Sequence, residues 1–559
     1  TPATGKAAIG IIDVTGMGIG SKIHHVTHII VMAAVQQAKD SQPIVYILRK
    51  APAASRGPSK SAKKFFLDVT AQPLTEKQRL YTLGLLISCG GMAGSIFWYD
   101  LETTGTDSVL DRPLQFAGIR TDLSLDEIAK PVNILGYPGR DVVPQPRAML
   151  VTGIKMSDVI ANGLNEKSFC EQVLKELEIA NTCTAGFNNI RFDDEFVRQM
   201  LYRNFQDPYA REWRNGNSRW DVIDLFRAAY ALRPTGFEWP EKQPGIPSFR
   251  LEDLALANGI EHRNAHDALA DVRATISIAK RLKQAQPRLY EFAWRLREKK
   301  AVIQQLYPLG KQPVIHISSM YPAAKGCAAV VLPLCQHPSN SNAIICVDLS
   351  QSIDRLLYED ASGLARLIFA NKDGLKEGEE RLALQSIYIN RSPIVAPLKT
   401  LGEPEAERLG ISMSLCLRHF ESLRGRAGLI EKVQEAFDSY DFEENGDPDF
   451  QLYSGDFFSD ADRASMQEVT AADPLELSRF SGSFQDDRLD EMLLRYRGRN
   501  WPDSLTADEA KFWQNYCAER WQVDNRRQSV GKELSELISS EKGKDLLVLE
   551  DLRDYLELL

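Results

Sequence analysis

An apolar run, Ile96-Phe97-Trp98-Tyr99, ends abruptly in Asp100-Leu101-Glu102-Thr103-Thr104-Gly105. The run has the β-branched and aromatic character of a buried strand. Side chains two apart on a strand share a face, so Asp100 and Glu102 point the same way. Two carboxylates held side by side repel each other, and a cation between them relieves the repulsion. With 76 acidic residues in the chain, an Asp-x-Glu arises by chance roughly two or three times. The pair alone therefore fits a solvated strand end equally well, unless residues downstream answer it.

A chain of 559 residues exceeds one ordinary core, so two to four domains are expected. Its composition, 43% hydrophobic and 26% charged, is that of a globular protein, and no apolar run is long enough to cross a bilayer. The eight cysteines show no Cys-x-x-Cys and no ligand rhythm, which fits scattered reduced thiols of a cytoplasmic protein. A net charge of −9 argues against a global field for nucleic acid, so any such contact needs a local basic patch.

Residues 1–91 stand apart, with 11 Lys and Arg against 4 Asp and Glu in a chain that is otherwise acidic. They read as an N-terminal extension of unknown role, and Met92 as a start of the working protein. Gly16-Met17-Gly18-Ile19-Gly20 has the wrong spacing for a dinucleotide loop, and His24, His25 and His28 lack an acidic companion. An α/β pattern sets in at residue 95. Strands are expected at 95–100 and 114–121, an amphipathic helix at 166–179, and an apolar segment, Thr184 to Phe187, that leads into a helix from Asp193. Arg233 to Pro247 reads as a loop, and the last helix of this unit, 95–284, opens between Asn264 and Asp271. Short strands at 313–317, 328–332, 343–347 and 386–389 suggest a β-rich domain over 287–440, and 441–559 reads as helical.

Asp193, at a strand end where a helix opens, is well placed for function, though Asp is also a favoured N-cap. His266 and Asp271 are five apart, roughly 140° around a helix, so His266 belongs at or before the first turn with Asp271 inside it. Asp-x-Glu, Asn-x-x-Phe-Asp and His-x-x-x-x-Asp in this order resemble the DEDDh 3′→5′ exonuclease superfamily. Within it, residues 95–559 are similar to the bacterial exonuclease I family. The phrases that carry the likeness include Gly186-Phe187-Asn188-Asn189-Ile190-Arg191-Phe192-Asp193, Asn217-Ser218-Arg219-Trp220-Asp221 and Phe457-Phe458-Ser459-Asp460.

The resemblance implies an RNase H-like nuclease domain with a mixed five-stranded sheet, an SH3-like β-rich domain and an all-helical C-terminal domain, clamped around DNA. It implies a metal-dependent exodeoxyribonuclease that releases 5′-mononucleotides from 3′ ends of single strands in repair and recombination. Asp100, Glu102, Asp193 and Asp271 would hold two Mg²⁺, for which Mn²⁺ can substitute, and His266 would be the general base. Glu102 and Thr103 would meet the terminal nucleotide, Arg227 and Arg250 the DNA, and the Leu150–Ile154 segment the terminal base. The acidic tail of single-stranded DNA-binding protein would be a partner, and the protein a monomer.

Residues 198–220 combine Arg198, Arg203, Arg211, Arg214 and Arg219 with Tyr202, Phe205, Tyr209, Trp213 and Trp220. That mixture suits phosphate neutralisation and base stacking, with Arg198, Tyr209 and Trp213 as contacts. An amphipathic helix and loop burying its aromatics is the plainer reading. Arg495 to Trp501 is a second basic-aromatic stretch, or else a surface helix end. Three functional readings stay distinct: single-strand exodeoxyribonuclease, an exonuclease for RNA ends or proofreading, and a non-catalytic scaffold that binds single strands.

Overall fold

The computed structural model describes residues 46–50, 67–71, 94–261, 267–370, 375, 379, 382, 384–439 and 445–559. It divides into two compact units, Thr1–Met92 and Ala93–Leu559. In the first, strands β1 (Tyr46–Lys50) and β2 (Leu67–Ala71) pair antiparallel. The Gly16–Gly20 run, His24, His25, His28 and His266 lie outside the described residues.

The second unit opens with β3 (Ser95–Thr103), β4 (Pro113–Thr121) and β5 (Val132–Leu135). Helices α1 (Pro146–Thr152), α2 (Met156–Asn162) and α3 (Glu166–Leu177) follow, then β6 (Thr182–Gly186), α4 (Asp193–Arg203), β7 (Ser218–Asp221) and α5 (Ile223–Leu232). The nuclease region ends with α6 (Leu251–Ala257) and α7 (Ala268–Ala285). The sheet order is β5-β4-β3-β6-β7, with β5, β4 and β3 antiparallel and β3, β6 and β7 parallel. This is the RNase H-like arrangement the resemblance implies.

The central strand β3 is apolar because both its faces are covered. Phe97, Tyr99 and Leu101 pack with Phe116, Phe169 and Phe196 on one side. Ile96 and Trp98 pack with Trp220, Val272 and Ile276 on the other. The face that carries Ile96 and Trp98 also carries Asp100 and Glu102, and it is the face over which α7 lies. Edge strands β5 and β7 were not foreseen. The polar Ser218-Arg219-Trp220-Asp221 pairs with β6, because the Arg219 guanidinium is neutralised by Asp194 and Glu212.

A second five-stranded sheet holds β8 (Val314–Ile317), β9 (Ala328–Gln336), β10 (Ala343–Asp348), β11 (Leu384–Tyr388) and β12 (Ile394–Pro397), in the order β11-β10-β9-β8-β12. Every neighbouring pair is antiparallel. This is the β-rich domain expected, with β12 added against β8.

The C-terminal part is helical, as its leucine spacing suggests. It includes α8 (Arg488–Asn500), α9 (Ala507–Arg520), α10 (Arg526–Ser540) and α11 (Lys544–Leu558), and a Thr506–Glu509 capping box opens α9. Leu534, Leu549 and Leu552 pack against Met149, Met156 and Val159, so α10 and α11 share a core with α1 and α2.

The Arg495–Trp501 stretch is not a DNA surface. Arg495 pairs with Asp447 and Glu491, Arg497 with Glu509, and Arg499 with Asp141 at 3.0 Å and Asp449 at 2.6 Å. All three arginines are buried. Burial by itself would push the Asp141 carboxyl up, but Arg499, Arg112 and Arg520 outweigh it and hold it at about 2.

Candidate functional site

The carboxylate oxygens of Asp100, Glu102 and Asp271 lie within 4.8 Å of one another. Three local events bring them together. Alternation on β3 puts Asp100 and Glu102 on one face, and a register shift between Glu102 and Thr103 ends the regular ladder there. Asp267 caps α7 by accepting from Leu269 N–H at 2.9 Å and Ala270 N–H at 3.2 Å. That cap starts the helix so that Asp271 sits in its first turn, above the end of β3.

Asp193 comes from the next strand over. β3 and β6 pair only from Ser95↔Thr182 to Trp98↔Ala185, so the Leu101 N–H is released from the ladder. Asp193 Oδ1 accepts it at 2.9 Å. Phe192 occupies the N-cap position of α4 and Asp193 is the first helical residue, so the Asp193 carboxylate is not spent on capping. Asp193 thus sits beside Asp100, near enough to disturb its charge.

The electrostatics favour a bound cation. Burial, then Asp193 and Asp271, push the Asp100 carboxyl well above its usual range, although part of its surface reaches solvent. Burial, then Asp100, Asp271 and Asp267, push Glu102 up to about 9. Burial and Asp194 likewise raise Asp193. A cluster that resists its own ionisation, and offers only carboxylate oxygens, is the donor set a hard divalent cation needs. Asp100, Glu102, Asp193 and Asp271 could hold such ions.

Behind this cluster lies a support that the sequence reading missed. Asp194 accepts from Tyr99 Oη at 2.5 Å, Arg211 Nη2 at 2.6 Å and Arg219 Nη1 at 2.8 Å. Burial opposes its ionisation, but Arg211, Arg219 and Arg198 outweigh that and hold the carboxyl well below the usual range. Asp194 is thus a buried anchor that fixes the start of α4, one residue from Asp193. The resemblance assigns Asp193 to the cluster, whereas the role of Asp194 depends on Tyr99, Arg211 and Arg219, partners set by the fold.

The basic-aromatic stretch divides. Arg198 binds Glu212 bidentately at 2.7 and 2.9 Å and Glu195 at 2.8 Å, with only 4% of its surface exposed. Arg203 pairs with Glu166, and Arg211 and Arg219 with Asp194. These four guanidiniums are structural, and burial inside ion pairs keeps them from phosphates. The expectation that Arg198 contacts DNA is corrected accordingly. Tyr209 is half-buried beneath Arg198, 5.3 Å from ring centre to guanidinium carbon. Trp213 is 63% exposed, with the Arg214 guanidinium 5.4 Å from its ring centre. Arg227 is buried and paired with Asp224 at 2.6 Å, so it too is committed inside the protein. Arg250 is exposed beside Glu252, just before α6. Thr103 is buried and donates to Gly105 O at 2.6 Å. His266 lies outside the described residues.

Family models match most of the chain. One described as "Exonuclease" matches residues 97–279, "Exonuclease I SH3-like domain" matches 297–439, and "Exonuclease I C-terminal domain" matches 446–559. The chain is 42% identical to exodeoxyribonuclease I of Escherichia coli (strain K12) over 429 residues, covering 77% of this chain and 90% of that protein. It is similar to the crystal structure of E. coli exonuclease I in complex with a dA16 oligonucleotide, with a TM-score of 0.79 and 40% identity over 83% of this chain and 99% of that one. A structure of SSB and exonuclease I with an inhibitor matches with a TM-score of 0.77 and 39% identity, over 83% of this chain and 99% of that one.

Proposed function

This chain belongs to the exonuclease I family, and we propose that it hydrolyses single-stranded DNA from the 3′ end, releasing 5′-mononucleotides in DNA repair and recombination. The observation that carries this reading is the convergence of Asp100, Glu102 and Asp271 within 4.8 Å, with Asp193 tied to the same strand. The four carboxylates would hold two Mg²⁺, for which Mn²⁺ can substitute. Cations there supply neutralisation of the scissile phosphate and of charge on the attacking and departing oxygens.

The protein's own groups do the rest. Glu102 and Thr103 orient the terminal nucleotide, with Glu102 beside its 3′-hydroxyl. A ring nitrogen of His266 takes the proton from the attacking water. Trp213 offers a flat face for a base, and Arg214 and Arg250 are exposed cations for the backbone. The acidic tail of single-stranded DNA-binding protein is the partner, and the enzyme acts as a cytoplasmic monomer. No helix among the described residues is long and apolar enough to cross a membrane.

A time course on single-stranded DNA with free and blocked 3′ ends, beside duplex DNA and RNA, tests the proposal. The expected result is shortening of the free-ended single strand alone, with mononucleotide product and full inhibition by EDTA. Digestion of the blocked strand, or activity that survives EDTA, overturns it.

A further inference from the structure

The loop that follows the β3 carboxylates, residues 103–112, is held from two sides. Within it, Thr104 Oγ1 donates to Asp111 Oδ1 at 2.9 Å, and the Asp107 N–H donates to Asp111 Oδ2 at 3.0 Å. Gly105 is required here, because a Cβ at that position would overlap the Asp111 carboxylate. The other hold comes from more than four hundred residues away in sequence. Arg526, the first residue of α10, donates from Nη2 to Asp111 Oδ1 and from Nε to Val143 O at 3.2 Å. With its amide oxygen turned to the guanidinium, Gln145 accepts from the same two nitrogens at 2.9 Å. Arg520, at the end of α9, donates to Val109 O.

Arg526 therefore fixes two elements that adjoin the end of β3 where the carboxylates lie. One is the loop that continues from Glu102 and Thr103. The other is α1, whose N-cap is Gln145 and whose main-chain N–H donates to Thr104 O at 2.7 Å. α1 ends at Gly153, which takes a left-handed φ of 66° to turn the chain into α2. α1 and α2 share a core with α10 and α11 through Met149, Met156, Leu534 and Leu549. Asp111 is 1% exposed, so its bond to Arg526 is shielded from solvent.

From this we infer that the C-terminal domain is part of the pocket for the 3′-terminal nucleotide, with Arg526 as a positioning residue acting through Asp111 and Gln145. The domain holds the Thr103–Asp111 loop and the Thr152–Gly153–Ile154 turn in register with Glu102, in addition to any contact it makes with distant parts of a strand. Removing Arg526 leaves Asp111 buried beside an amide and a hydroxyl with no cation, and frees the loop to shift. A shift of about 1 Å at a reacting group can cost about a hundredfold in rate. The inference rests on the exonuclease reading.

Substrate length separates this role from a purely remote one. Single-turnover cleavage would be measured on a thymidylate tetramer, too short to leave the terminal pocket, and on long polythymidylate. Arg526→Ala is expected to slow the first cleavage of both by the same factor, about ten- to a hundredfold, with the salt dependence of long-strand binding unchanged. Arg526→Lys restores charge beside Asp111 but not the fork, and regains part of the rate. Asp111→Asn combined with Arg526→Ala is expected to be no slower than the worse single variant. Should Arg526→Ala fail to fold, Arg526→Lys and Asp111→Asn carry the same comparison. Arg553→Ala, on α11 and paired with neighbouring Asp554, serves as the unchanged control. Wild-type rates on the tetramer in a folded Arg526 variant, or loss confined to the long strand, overturn the inference. A wild-type protein that cleaves neither substrate overturns the exonuclease reading instead.

Discussion

The Leu101 N–H donates to Asp193 Oδ1 at 2.9 Å, joining the strand that bears Asp100 and Glu102 to the helix that bears Asp193. The bond forms where β3 and β6 stop pairing, so a sheet ending becomes the fixture that sets the distance between two parts of the acidic cluster. Asp193→Asn keeps an acceptor for Leu101 and loses only charge. It is expected to melt no lower than wild type in EDTA and to bind single strands normally, while exonuclease turnover falls by two or more orders of magnitude, about 3 kcal/mol or more in barrier. Turnover within a few-fold of wild type would remove Asp193 from the metal-binding set.

Carboxylates that repel one another would be stabilised by a cation bound between them. Added Mg²⁺ is expected to stabilise EDTA-treated protein against unfolding, by about 2.7 kcal/mol when its concentration is a hundred times its dissociation constant, and so to raise its melting temperature. Asp100→Asn removes a charge from the cluster, so it should melt higher than wild type in EDTA and respond less to Mg²⁺. Calorimetry with and without the ion checks both, and an Asp100→Asn protein less stable than wild type in EDTA would count against repulsion at the site.

Arg198→Ala is expected to damage stability and not DNA affinity. It leaves Glu195 without its bonded cation and Glu212 chiefly with Arg219, a loss of at most about 3–5 kcal/mol for a buried pair broken on one side. Urea unfolding measures this. In the fraction that stays folded, the salt dependence of single-strand binding should match wild type, whereas a lost phosphate contact would flatten it.

Trp213 is the opposite case, an exposed ring that carries Arg214 on one face. Trp213→Ala is expected to weaken single-strand binding by about 1–3 kcal/mol with little change in unfolding. Fluorescence anisotropy with a labelled oligonucleotide reads the first and thermal melting the second.

His316 sets a pH dependence in the middle domain. Its ring is buried with Nδ1 2.9 Å from Tyr321 Oη. Burial, aided by Arg191, pulls its pKa down to about 3. The unfolded chain takes the proton near pH 6.5 while the folded one resists it. The stability from this group is therefore complete above about 6.5 and is lost as pH falls towards 3, by about 1.4 kcal/mol per pH unit. Asp221, raised to about 7 by burial and Asp224, pulls the other way over part of this range. The difference in unfolding free energy between wild type and His316→Phe isolates the histidine, and it should shrink as pH drops from 6.5 to 5. A difference independent of pH would mean that the ring takes its proton as readily in the fold as in the unfolded chain.

Some of this was legible because it depends on local rules. Strand alternation put Asp100 beside Glu102, and helical geometry placed Asp271 one turn into its helix. Motif order pointed to the RNase H-like sheet. Other features depended on partners far along the chain. Arg198 and Arg219 look like DNA-binding residues until Glu212 and Asp194 are seen against them. Arg495, Arg497 and Arg499 resemble a basic patch until Asp449 and Asp141 are buried with them. Strand β7 was missed for the same reason, since Arg219 belongs in a sheet only when its charge is matched inside.

By itself the sequence determined the carboxylates, their strand and helix settings and the order of the domains, because periodicity and motif spacing act within a few residues. Tertiary structure alone decided which arginines are spent inside the protein, that Asp194 is a buried anchor behind the acidic cluster, and that Arg526 reaches Asp111. A charge is neutral in effect only where its counter-charge lies within a few ångströms in low dielectric, and that distance exists only after the chain has folded.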